Sequence, residues 1–182
     1  MSRRDELVEA ATDYVLANGL VDLTLRPMAA ALGTSDRMLL YHFGSKDELV
    51  TAILETSNAR TIAHLRALPH ARDLRGAVTQ LWKVVRGSSV AASYRVYIEA
   101  SALGLLGQQP YADAMRTANA EWLAELSEYF AARGAPRRRA QRIAVLVDAA
   151  FMGFMLDAPL EEDAARTAAV ADLAAAAAAL GA

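Results

Sequence analysis

The feature that most constrains this chain is its helix punctuation, because start and stop signals recur at helix-length intervals along it. Ser2 followed by Asp5 resembles a capping box, with Asp in place of the usual Glu or Gln. Leu7, Val8, Ala11, Tyr14 and Val15 then recur at helical spacing, and Asn18-Gly19 ends the run in the manner of an αL cap. Thr24 offers a second N-cap, with Pro27 in the first turn, where its missing N–H costs little. Met28, Ala29, Ala31 and Leu32 give that helix an apolar stripe, and Gly33 stops it. Ser35 caps a short third helix that runs to about Phe43 and ends at Gly44. Ser45-Lys46-Asp47-Glu48 is a Ser-x-x-Glu box opening a fourth helix, which carries Leu49, Ile53, Leu54, Ala63 and Leu65 before Pro69. Five longer helices are expected behind it, at about 72–86, 89–106, 110–133, 136–156 and 161–180.

Composition supports an all-α fold. Hydrophobic residues make up 54% of the chain, enough for a sizeable core. Much of that share is alanine, which favours helix but buries little area per residue. No alternating run of strand length is present, and no repeat of solenoid length. Without cysteine there is no disulfide scaffold and no thiolate chemistry. The N-terminal stretch lacks the apolar centre of a signal peptide. The most apolar run, Ile143 to Leu156, is too short to span a bilayer and contains Asp148. The expectation is a soluble, cytoplasmic protein.

Enzyme chemistry finds little footing. His42, His64 and His70 have no metal-ligand spacing, and there is no phosphate loop, nucleophile elbow or acid pair. No cofactor is expected. Three short helices in the first fifty residues, with a glycine turn between the second and third, have instead the plan of a helix-turn-helix. Gly33 supplies the tight turn and Ser35 the cap of the recognition helix. Thr34, Ser35, Arg37 and Met38 are expected to look outward, and Leu39, Leu40 and Phe43 to anchor the helix from inside. Tyr41 and His42 lie near its end, where side chains reach phosphates. The whole chain has a net charge of −2, and its first fifty residues hold five cations against eight acids. A DNA-binding segment of that balance must gather its cations on one face.

The stretch Leu23-Thr24-Leu25-Arg26-Pro27-Met28-Ala29-Ala30-Ala31-Leu32-Gly33-Thr34-Ser35, followed by Leu40-Tyr41-His42-Phe43-Gly44-Ser45-Lys46-Asp47-Glu48-Leu49, resembles the DNA-binding domain of the TetR family of regulators. The resemblance covers roughly residues 5 to 54, and the Tyr-His-Phe-x-Ser-Lys-x-Glu-Leu run is its most distinctive part. It implies about nine helices, with a helix-turn-helix domain at 1–50 whose fourth helix links to about residue 68. A ligand-binding and dimerisation domain at 51–182 follows. It also implies that Tyr41, His42 and Lys46 contact DNA phosphates, that Arg37 and Met38 face bases, and that Arg26 lies with them. Asp36-Arg37-Met38 departs from the small or glycine-containing segment often found at this place, so no base preference carries over. Such regulators dimerise through their last two helices and usually repress a palindromic operator until a small molecule binds the body. The alternative from another class is a helical protein-interaction module without DNA binding.

The helix at about 136–156 is apolar all round in its second half and needs cover on more than one side. Ile143, Val147 and Phe154, with Val170, Leu173 and Ala177 from the alanine-rich final helix, are therefore candidates for a two-fold interface. Trp82, Tyr94, Tyr97, Met115, Trp122, Phe151 and Met155 are candidates for lining a pocket for a mostly apolar ligand. Glu99 and Asp148 are acids in apolar surroundings, suited to pairing with Arg, to facing solvent or to orienting a ligand amine. The Arg133, Arg137, Arg138, Arg139, Arg142 cluster reads as a solvated loop and dimer edge.

Overall fold

A computed structural model describes residues 2–160 and 163–182. Among the described residues there are nine helices and no strand: α1 Arg3–Asn18, α2 Leu25–Ala31, α3 Asp36–Phe43, α4 Lys46–Arg66, α5 Leu74–Val85, α6 Ser88–Leu105, α7 Tyr111–Ala131, α8 Arg137–Leu156 and α9 Asp163–Gly181. The all-α class and the helix number follow the sequence. The expected start of the last helix at about 161 lies outside the described residues.

The caps account for most of these boundaries. Ser2 and Asp5 form both halves of the expected box: the Asp5 N–H donates to the Ser2 hydroxyl and the Ser2 N–H to the Asp5 carboxylate. Those bonds hold the Asp5 carboxyl below its ordinary range. Ser35 accepts the Met38 N–H at 3.2 Å, and Ser45 accepts the Glu48 N–H at 3.1 Å. Thr24 precedes α2 but makes no side-chain cap bond. At three helix ends the same pair of backbone bonds recurs. Thr34 N–H reaches Ala29 O while Gly33 N–H reaches Ala30 O, and Gln108 with Gly107 and Ala135 with Gly134 repeat the pattern. Each is a Schellman stop, and all three glycines have positive φ. A Cβ on Gly33 would meet nothing within 4 Å, so its φ of 63°, and not crowding, calls for glycine there.

The chain forms two compact units that are not consecutive stretches of sequence. The first takes residues up to Thr61 together with Ala92–Asn119, and the second takes Ile62–Ala91 with Ala120–Ala182. The chain passes between them within α4, α6 and α7. In the first unit α1, α2 and α3 pack on one another. Their core, with Met28, Leu39 and Ile53 sealed at its centre, also takes in Val96, Ala100, Tyr111 and Met115. Two links tie α6 to the end of α1 in this unit. The Glu99 carboxylate accepts the Leu20 N–H, and Arg95 donates to Leu16 O at 2.6 Å. Glu99 also lies 3.8 Å from Arg95, so of its three possible roles it takes pairing, together with a backbone bond.

In the second unit α9 packs along α5 and α8. By length and composition alone α9 is apolar enough to cross a membrane, a consequence of its alanines. Here it is a packed helix, closed by Val170, Ala174 and Ala177. The packing corrects several interface candidates. Ile143, Val147, Val170 and Ala177 are buried inside the unit, and Phe154 lies half-buried and edge-on against Trp82, with Leu173 also half-buried. A helix apolar on every side gives no sequence signal for its inner face, and α8 turns Ala140, Ile143, Ala144, Val147 and Phe151 inward. Its outward stripe carries Val145, Leu146 and Leu156, which are 50%, 40% and 59% exposed. The Arg137, Arg138, Arg139 and Arg142 side chains at its start are exposed, as expected, whereas Arg133 lies 3.4 Å over the Tyr129 ring.

Candidate nucleic-acid interface

An eight-residue helix with a hydroxyl cap presents two different faces here. Leu39 and Phe43 of α3 are buried, and the Arg4 guanidinium lies over the Phe43 ring at 5.0 Å. Arg37 and Met38 point outward, and Tyr41 is 79% exposed. His42 is half-buried and meets the Tyr41 ring edge-on at 5.2 Å between centroids. Leu40, expected inside with Leu39, is 40% exposed. On a helix this short, inward positions three to four apart leave the neighbour of an anchor facing away. The same geometry exposes Ala31 on α2 and Ala63 on α4 and buries Ile62 instead.

The other candidate residues flank this face in sequence. Arg26 is exposed on α2, and Thr34 and Ser35 occupy the turn before α3, with the Ser35 hydroxyl accepting a backbone N–H. Lys46 is exposed at the start of α4, and its Nζ donates to the Leu23 carbonyl. An ammonium has three N–H donors, so this bond fixes the Lys46 side chain and leaves two for an anion. The acids that outnumber the cations in this segment are partly neutralised. Arg60 of α4 forks to Asp13 at 2.6 Å and to Glu9, and Arg3 pairs with Glu6 at 3.0 Å. That long-range fork was not legible from the order of residues.

The structure divides the ligand candidates between the two units. Tyr94, Tyr97 and Met115 fall in the first, where Met115 is spent in the core shared with the N-terminal helices and Tyr97 donates to Asn119 at 3.1 Å. Trp82, Trp122, Phe151 and Met155 fall in the second. Trp82 stacks at a tilt on Phe151 with centroids 5.1 Å apart, and the Trp122 indole donates to Asp148 at 2.7 Å. Among the described residues no group of His, Asp or Glu is placed to hold a metal.

Residues 7–53 match the family model of bacterial regulatory proteins of the tetR family. No curated protein sequence matches the chain. Among solved structures, a TetR-family transcriptional regulator described as putative, from Rhodococcus sp., aligns at a TM-score of 0.73 and 20% identity, covering 99% of this chain and 98% of that one. GusR of Salmonella enterica aligns at 0.72 and 22%, covering 98% and 94%. The multidrug binding protein EbrR, solved with imidazole, aligns at 0.66 and 24%, covering 95% of each, and further structures of it hold proflavin and ethidium. At these identities the structural likeness speaks for the fold alone. Over residues 7–53 the chain is similar to bacterial regulatory proteins of the tetR family, and its fold is that of the solved structures named.

Proposed function

We propose that the chain is a homodimeric transcriptional repressor that a small molecule releases from a palindromic operator. Residues 1–50 act as the reading head, and 51–182 as the sensing and dimerising body. The observation that carries this reading is the two-faced α3, anchored by Leu39 and Phe43 while Arg37, Met38 and Tyr41 stand clear of the protein. Arg37 and Met38 read base edges in the major groove, whereas Arg26, Thr34, Ser35, Tyr41, His42 and Lys46 hold phosphates and set the register. Two heads about one helical turn apart, ~34–36 Å, match a palindrome. EbrR, of the same fold, was solved with small molecules, which supports a ligand-responsive body.

Fluorescence anisotropy with DNA flanking the chain's own gene tests the reading. Tight, salt-sensitive binding to one palindromic fragment is expected, and no binding even at low salt favours the protein-interaction module instead. Arg37→Ala is expected to relax sequence preference, costing about 1–3 kcal/mol on the preferred fragment and little on others. Unchanged discrimination in that variant removes Arg37 from base reading.

For the dimer, the support is the outward stripe of α8 together with Gly153 on it. Glycine inside a helix costs about 1 kcal/mol relative to alanine. A Cβ at Gly153 would meet nothing within 4 Å, so the chain's own packing does not require it. A second α8 approaching closely does. Gly153→Leu is therefore expected to yield a folded monomer near 19.5 kDa by sedimentation, with helicity unchanged by circular dichroism. A Gly153→Leu protein that stays dimeric places the two-fold elsewhere.

A further inference from the structure

Asp148 is a charge in an unusual setting. It shares one side of α8 with Phe151 and Met155. The Trp122 indole N–H from α7 reaches its Oδ1 at 2.7 Å, and Trp82 from α5 covers Phe151. Among the described residues no Arg, Lys or His forms an ion pair with it, although nine other such pairs are formed. Burial pushes its carboxyl above the ordinary range, and the indole bond only partly offsets that. A half-buried carboxylate with one neutral donor costs stability that alanine or leucine would not. Asp148, Trp122 and Met155 all keep some exposure, whereas Trp82 and Phe151 behind them are 5% and 2% exposed.

The chemistry of this cluster selects a charge sign. An anion would be repelled by the carboxylate, and a neutral molecule would leave it uncompensated. An organic cation gains the missing ion pair and also the partly exposed Trp122 ring, whose quadrupole attracts positive charge. We infer that Asp148, with Trp122 beside it, forms the subsite for a flat or aromatic organic cation, a protonated amine or a quaternary onium. This rests on the ligand-responsive reading above and names the ligand's class.

Tetraphenylphosphonium and tetraphenylborate, alike in shape and opposite in charge, test it by titration calorimetry on the full-length chain. The phosphonium is expected to bind at least about tenfold tighter than the borate, a difference that a single close charge pair supplies. Asp148→Asn keeps an acceptor for the Trp122 indole and removes only the charge. It is expected to erase that preference by weakening the phosphonium, with a melting temperature no lower than that of the unmodified chain. Equal binding of the two ions by the unmodified chain overturns the inference without recourse to any variant, as does an Asp148→Asn protein that keeps the preference. Anisotropy on the flanking DNA in the same samples separates the two readings. Failure to hold DNA defeats the regulator and leaves the cation result intact, whereas failure to hold the phosphonium defeats this inference alone.

Discussion

Replacing both Tyr41 and Lys46 by alanine is expected to weaken operator binding about a hundredfold, or ~2.7 kcal/mol, while the chain stays folded. Tyr41 is the most exposed large hydrophobic side chain on α3 and meets the His42 ring edge-on, so its removal leaves the core untouched. Lys46 is already held by the Leu23 carbonyl, so little side-chain freedom is lost when it meets a phosphate. In a dimer the double variant removes two cations from the interface. The slope of log K against log salt should become shallower by ~1.8 units, and all sequences should weaken alike. Losing the bond to Leu23 also costs about 0.5–1.5 kcal/mol of folding stability, which thermal melting measures separately. Wild-type affinity with a wild-type salt slope would mean that DNA, if bound at all, is held by another surface.

The second large effect concerns two adjacent leucines. Leu39 is fully buried and Leu40 is 40% exposed. Leu39→Ala opens a cavity where α3 meets the core of the first unit, and a loss of about 2–5 kcal/mol is expected. That is a large part of a stability of about 5–15 kcal/mol. Leu40→Ala removes a side chain that is partly in water already and should cost under about 1 kcal/mol. Urea denaturation of the two variants side by side settles the register of α3. Equal losses would mean that the helix is rotated by a fraction of a turn, which would also re-aim Arg37 and Tyr41.

Local chemistry explains why so much of the layout was legible. The Ser2, Ser35 and Ser45 caps and the Gly33, Gly107 and Gly134 stops act within five residues of themselves, and each operates as the order of residues implies. The reading head followed from such signals plus one long motif. Features that depend on distant helices were not legible. The Arg60 fork to Glu9 and Asp13 spans about fifty residues, and nothing near Arg60 announces it. The order of residues did not place Met115 in the core of the first unit, because Met and aromatic side chains suit pockets and cores equally. Ile143 and Val147 were assigned to the wrong side of α8 because an all-apolar helix carries no amphipathic direction. The exposed Leu40 was missed for a related reason: a run of two leucines does not say which one faces in.

The core that joins the N-terminal helices to Val96, Ala100, Tyr111 and Met115 has a practical consequence for protein engineering. A graft consisting of the first fifty-odd residues alone would carry Leu49, Val50 and Ile53 without four other members of their core, Val96, Ala100, Tyr111 and Met115. It would also leave the Leu20 amide without its Glu99 acceptor. A transplantable version of this head has to bring the 92–119 hairpin with it, or replace the bare leucine and isoleucine surface with something that water tolerates.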